Sequence, residues 1–258
     1  MNFDESRIPG WYGKMANLGD FASRRLPSRF IVPWDDWLQR ALAGSRAVLG
    51  QSWLDSYLTS PLWRFLLMPG VCGNAAWAGV IMPSVDRVGR YFPLSIAIEL
   101  PVIPHSETQF DQLSDWLDAL ENTALATLEL RYTPDDLDQA LAANCLPDFA
   151  PVDPALATLQ RQLAARLNQA SAAPCSLTLP AFDDFSPLLA GAGTQGLWQA
   201  AAGKSLWWSQ NRDGAAPALV CCEGLPAPDD FALMLSGGNA VDMDCTTIMP
   251  ACKLASSA

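Results

Sequence analysis

Residues 83 to 91, PSVDRVGRY, place Ser84, Asp86, Arg87, Arg90 and Tyr91 on one short loop between two apolar runs. An arginine can hold a carboxylate or a phosphate through two parallel hydrogen bonds, and Gly89 permits backbone shapes that other residues resist. Two readings stay open. Asp86 and an arginine can pair internally and pin the loop, or the loop can be a binding surface, since functional groups favour loops held on a rigid scaffold. Arg24, Arg25 and Arg29 form a second basic group, which taken alone reads as a solvated face.

Other chemistry finds less support. His105 is the sole histidine, so any Ser-His-Asp or Cys-His mechanism would depend on it, and it sits in the polar turn PHSE ahead of a helical pattern, where a surface or capping role is expected. Acidic pairs stand at Asp35–Asp36, Asp135–Asp136, Asp183–Asp184 and Asp229–Asp230. Brought together they would suit magnesium. Three of the four, however, are expected to open helices, where a carboxylate gains from the helix dipole. Neither G-x-x-x-x-G-K-[ST] nor G-x-G-x-x-G occurs. The seven cysteines lack a CxxC spacing, which argues against structural zinc and a disulfide framework. Trp207 and Trp208, like Cys221 and Cys222, are neighbours on an expected strand, so each pair splits across its two faces. The tryptophans are then expected in the core rather than in one aromatic cage.

At 258 residues, half of them apolar, the chain can bury a sizeable core. No apolar run nears the roughly 20 residues that cross a bilayer, and MNFDESRI has neither the charged nor the apolar region of a signal peptide, so a cytoplasmic protein without membrane insertion is expected. Residues 1–100 carry ten Lys/Arg against eight Asp/Glu, so the net charge of −11 falls on the remainder. Nucleic-acid binding is disfavoured, whereas a basic protein surface that the acidic part recruits is a possible partner.

The loop and the basic group must be positioned by the elements around them. WYGKMANLGDF suits a first short strand. VPWDDWLQRALAGSRAVLG has Trp34, Trp37, Leu38, Ala41, Leu42, Ser45, Val48 and Leu49 at helical steps and stops at Gly50. The runs at 62–68, 76–82 and 92–100 are joined too tightly for parallel crossovers and read as an antiparallel meander. Both alternating sets of the first two runs are largely apolar, so helices should cover both sheet faces. Pro93 places the third run at an edge or marks its start. Helices are expected after Pro104 through Leu128, at 135–143, at 154–169 and in APDDFALML, with short strands at SLTLP, SLWWS and PALVCC. The expected class is α+β, a mainly antiparallel central sheet with helices on both faces, a three-layer α/β/α sandwich. One domain is expected over 1–226, with a helix and tail at 227–258 that can belong to it.

GWYGK (10–14), LGDF (18–21), SRRLP (23–27), SWLDSYLTSPLWRF (52–65), PGVCG (69–73) and WAGVIMPSVDRVGRYFPL (77–94), in this order, resemble the TagF family of type VI secretion proteins. The resemblance is strongest over 10–100 and reaches more weakly through SLWW and CEGLP to about residue 226. It implies a cytoplasmic, non-enzymatic regulator that represses secretion after translation by engaging the forkhead-associated scaffold protein Fha, with no cofactor. Some relatives are fused to a PppA-type phosphatase; this chain carries no such metal motifs and is expected to be the stand-alone form. The family supplies no catalytic motif. The candidate protein-binding set is Ser84, Asp86, Arg87, Arg90 and Tyr91 with Asp20, Arg24 and Arg25. The rival expectation is an enzyme acting on a secretion component through an Asp/Arg-lined hydrolytic site.

Overall fold

The chain is described by a computed structural model over residues 5–149, 151–168, 185–210 and 217–237. In chain order the elements are β1 (Gly10–Gly13), β2 (Ala22–Arg24), α1 (Ser28–Leu49), α2 (Trp53–Thr59), β3 (Trp63–Leu67), β4 (Ala76–Met82), β5 (Leu94–Leu100), α3 (Glu107–Ala126), α4 (Pro134–Ala143), α5 (Pro154–Leu167), α6 (Ser186–Ala200), β6 (Lys204–Ser209), β7 (Ala218–Glu223) and α7 (Pro228–Leu235). The strands form one seven-stranded sheet in the order β2-β1-β5-β4-β3-β6-β7, and every neighbouring pair is antiparallel.

The central meander follows from its sequence. All residues of β3 and β4 are buried, as both-faced apolar strands require. One face packs Trp63, Phe65, Leu67, Trp77 and Ile81 against Phe30, Trp34, Trp37 and Leu38 of α1 and Phe231 of α7. The other packs Leu66, Ala78, Val80, Ile96 and Ile98 against Leu113, Trp116, Leu117 and Leu120 of α3 and Leu137 of α4. This is the α+β, two-sided arrangement. Pro93 immediately precedes β5, which begins at Leu94 and lies inside the sheet between β1 and β4.

The stripe from Trp34 to Ser45 is buried along α1, but Val48 is 41% exposed. α1 starts at Ser28, so Pro33 lies inside it and Asp35 and Asp36 stand well past its first turn, not at its opening. They bind locally instead: Asp36 pairs with Arg40 at 2.9 Å, and Asp35 accepts from Tyr12 and Gln39. Asp135, Asp136, Asp229 and Asp230 do occupy first turns. A Cβ on Gly44 would lie 2.3 Å from Pro228 Cβ, so glycine allows α7 to lie directly on α1.

β6 and β7 occur as expected, and Trp207 and Trp208 face opposite ways. Trp207 is fully buried on the α1 side, and Trp208 packs on the α3 side. One charge interrupts the α3-side core. Arg64 of β3 is 1% exposed and donates from Nε to Glu121 Oε1 at 2.7 Å and from Nη2 to Asp118, tying α3 to the sheet. The expected strand SLTLP, the pair Asp183–Asp184 and the tail beyond residue 237 lie outside the described residues.

Candidate functional site

Two connections meet at one end of the sheet. Residues 14–21 join β1 to β2, and residues 83–93 join β4 to β5. In the second, Asp86 N donates to Arg90 O at 3.1 Å and Gly89 N to Asp86 O at 3.0 Å, closing a tight turn with Gly89 at φ +82°, a conformation that glycine adopts without penalty. Asp86 Oδ1 accepts from the amides of Val88 at 3.0 Å and Arg90 at 2.8 Å, the side-chain-to-backbone bonding that suits aspartate to turns. Its Oδ2 accepts from Lys14 Nζ at 2.9 Å and Arg90 Nε at 2.7 Å.

The Asp86 side chain is fully buried. Burial alone would raise its pKa, but the bonds from the Arg90 amide, Lys14, the Arg90 guanidinium and the Val88 amide win and hold the carboxyl well below the usual range. The loop base is fastened as firmly: Tyr57 Oη donates to Ser84 O at 2.9 Å and accepts from Ser84 N at 3.1 Å. Ser84 Oγ is buried without a partner among the described residues. Tyr91 packs edge-on against Trp53 and Tyr57, with ring centroids 5.7 Å away in each case.

The two connections are joined through Asp86 and directly. Arg87 N donates to Leu18 O at 3.0 Å, and Arg90 Nη2 to Gly19 O. Asp20 is exposed and accepts from Phe21 N at 2.8 Å. The Phe21 ring stands edge-on to Phe92 at 4.7 Å, with Lys14 Nζ 4.7 Å from its centroid, and is still 46% exposed. Val88 is 63% exposed at the turn. The arrangement therefore presents Asp20, Phe21, Arg87 and Val88 on a backbone fixed from behind. Asp86 serves as the internal pin through Arg90, so the internal pairing holds for these two residues, and Arg87 and Val88 are left exposed on the turn.

Arg24 and Arg25 belong elsewhere. β2 continues from the paired connections toward the opposite end of the sheet, where Arg25 Nη2 donates to Asp138 Oδ1 at 2.6 Å and Arg24 Nη1 reaches Asp135 at 3.1 Å and Asp138 as well. Trp11 Nε1 donates to the same Asp138 at 2.9 Å. Burial would raise the Asp138 carboxyl, and the bonds from Trp11, Arg25 and Arg24 bring it below its ordinary value. Arg29 pairs with Glu99. The basic stretch thus clamps α4 and β5 rather than lining the loop platform. Arg25 adopts φ +62°, a left-handed conformation disfavoured in a side chain with a Cβ.

Lys14, Phe21 and Val88 are the site residues that spacing did not single out. Phe21 lies in LGDF, but a lone aromatic carries no sign that it stays exposed. His105 is half-buried in its turn, its amide donating to Gln109 Oε1 at 3.0 Å and its Nε2 without a partner among the described residues. Among the described residues no cluster of His, Cys, Asp and Glu could hold a metal ion, and no helix is long and apolar enough to cross a membrane.

Fold and site together define an α+β protein whose antiparallel sheet carries a pinned two-connection platform at one end. The chain belongs to the TagF family: residues 10–144 match the TagF N-terminal domain, described as type VI secretion system-associated. It is similar to the crystal structure of PA0076 from Pseudomonas aeruginosa PAO1, with 34% identity, a TM-score of 0.67, and coverage of 94% of this chain and 99% of that one. No curated protein matches the sequence.

Proposed function

We propose that the chain is a non-catalytic, cytoplasmic accessory protein of type VI secretion that represses the system after translation by holding the forkhead-associated scaffold protein Fha. One observation carries this reading. Phe21, Arg87 and Val88 stand exposed on two connections whose backbones are bonded to each other, and which a buried carboxylate ties together through the Val88 and Arg90 amides and the Lys14 ammonium. Such a surface loses little conformational freedom on binding, and arginine and aromatic residues dominate interface energy. Asp86 accepts four hydrogen bonds within the platform, which weighs against a hydrolytic site built on it. The test is Arg87→Glu. Calorimetry with purified Fha should show weakened binding, and cells carrying the variant should secrete without repression, at unchanged thermal stability.

A further inference from the structure

The two connections of the platform carry three cations, Lys14, Arg87 and Arg90, against two carboxylates, Asp20 and Asp86, a net of +1 in a chain of −11. Bonds inside the platform take up most of that charge. Lys14 and Arg90 both donate to Asp86, Arg90 Nη2 also reaches Gly19 O, and Asp20 accepts from the Phe21 amide. Arg87 differs. Its amide is bonded to Leu18 O, but among the described residues no hydrogen bond, ion pair or ring contact engages its guanidinium. A Cβ on Gly19 would lie 3.9 Å from Arg87 Nη2, so the guanidinium lies beside the first connection.

That setting suits one kind of group. A guanidinium is always charged at neutral pH and offers a carboxylate two parallel N–H donors. The exposed side chains around it are apolar: Val88 is next in sequence, and Phe21 rests on Phe92 and Tyr12 with nearly half its surface open. Apolar contact around an ion pair excludes water and lowers the local dielectric, under which the bond strengthens. A phosphate fits less well. It carries a charge of about −1.5 to −2, and Asp20 stands exposed on the same surface, in no ion pair among the described residues. A basic surface would meet Arg87 as a like charge.

We infer that the platform takes an acidic residue flanked by an apolar one on the surface of its partner protein, the carboxylate held by Arg87 and the apolar side chain by Phe21 and Val88. This rests on the proposed function and assigns the chemistry of the Fha contact.

The test is calorimetry of purified Fha with the full chain at about 50 and 300 mM salt, with thermal melts of every variant beside it. Arg87→Gln should weaken binding about tenfold at the lower salt and remove most of the salt dependence. Arg87→Lys, which keeps the charge without the paired donors, should restore only part. Arg87→Glu should bind more weakly than Arg87→Gln, because a carboxylate then faces a carboxylate, and exchanging one acidic surface residue of Fha for lysine should rescue it. Phe21→Ser and Val88→Ser should weaken binding equally at both salts. If either serine variant weakens binding and Arg87→Gln does not, the apolar contact stands and the acidic one is overturned. The same follows if Arg87→Glu binds no worse than Arg87→Gln. Loss of binding after phosphatase treatment of Fha would put a phosphate in place of the carboxylate and overturn the inference. If no platform variant alters binding, or wild type does not bind Fha, the proposed function itself falls and takes this inference with it.

Discussion

The ammonium of Lys14 lies 2.9 Å from Asp86 Oδ2, and neither side chain is more than 4% exposed. These residues stand on different connections, so their ion pair holds the two halves of the platform together. Removing one member of such a buried pair leaves the other as an uncompensated charge, at a cost of about 3–5 kcal/mol. Asp86→Ala should lose stability on that scale in urea denaturation. Lys14→Met should lose less, because Asp86 keeps Arg90 Nε and two amides.

Acid should weaken the same connection. The folded-state pKa of Asp86 is depressed, so its contribution is complete above the unfolded value of about 4 and is lost as pH falls below it toward the folded value. Melting temperatures of wild type and Asp86→Asn should differ most near neutrality and converge in acid. A gap that stays constant into acid would contradict this assignment.

The two arginines of the turn should separate in their effects. Arg87→Glu should keep its melting temperature within a few degrees, since exposed substitutions change stability by about 0.5 kcal/mol or less. Its loss should appear in Fha binding, at about 2 kcal/mol if Arg87 dominates the contact. Arg90→Glu should lose stability first, because it sets a second carboxylate against buried Asp86. Calorimetry beside thermal melts tests both, and a stable Arg87→Glu with wild-type affinity removes the loop from the interface.

Asp138→Ala should loosen α4. It strips the acceptor from the Trp11 indole and removes the Asp138 pairings of Arg24 and Arg25 together, and the stranded indole N–H alone costs about 1–3 kcal/mol. Hydrogen exchange should accelerate along Pro134–Ala143. Arg24→Ala, at an exposed position, should leave exchange there nearly unchanged.

Much of the scaffold was legible in the residues. The run AWAGVIM has the boundaries of β4, and the short links around it dictated an antiparallel meander. The adjacent tryptophans split across the sheet because strand periodicity leaves no other choice. Other elements carried no such signal. β2 is three residues, ASR, and its pattern is indistinguishable from a polar connection until the open edge of β1 offers it bonds. α6 has no charged residue to set against its apolar ones, and α1 begins before a proline that reads as a helix start.

Periodicity and turn chemistry act over a few residues, so the sequence by itself determined the central strands, the main helices, the covered sheet and the chemical character of the 83–91 loop. Only the tertiary structure decided which charges meet. Asp86 finds Lys14 across 72 positions, Arg25 finds Asp138 across 113, and Arg87 is left facing solvent. The physical reason is that an ion pair needs proximity within a few ångströms but no particular spacing along the chain. Its partners are therefore chosen by the packing of the sheet and its connections, and that choice separates the residues that pin the platform from those left exposed on it.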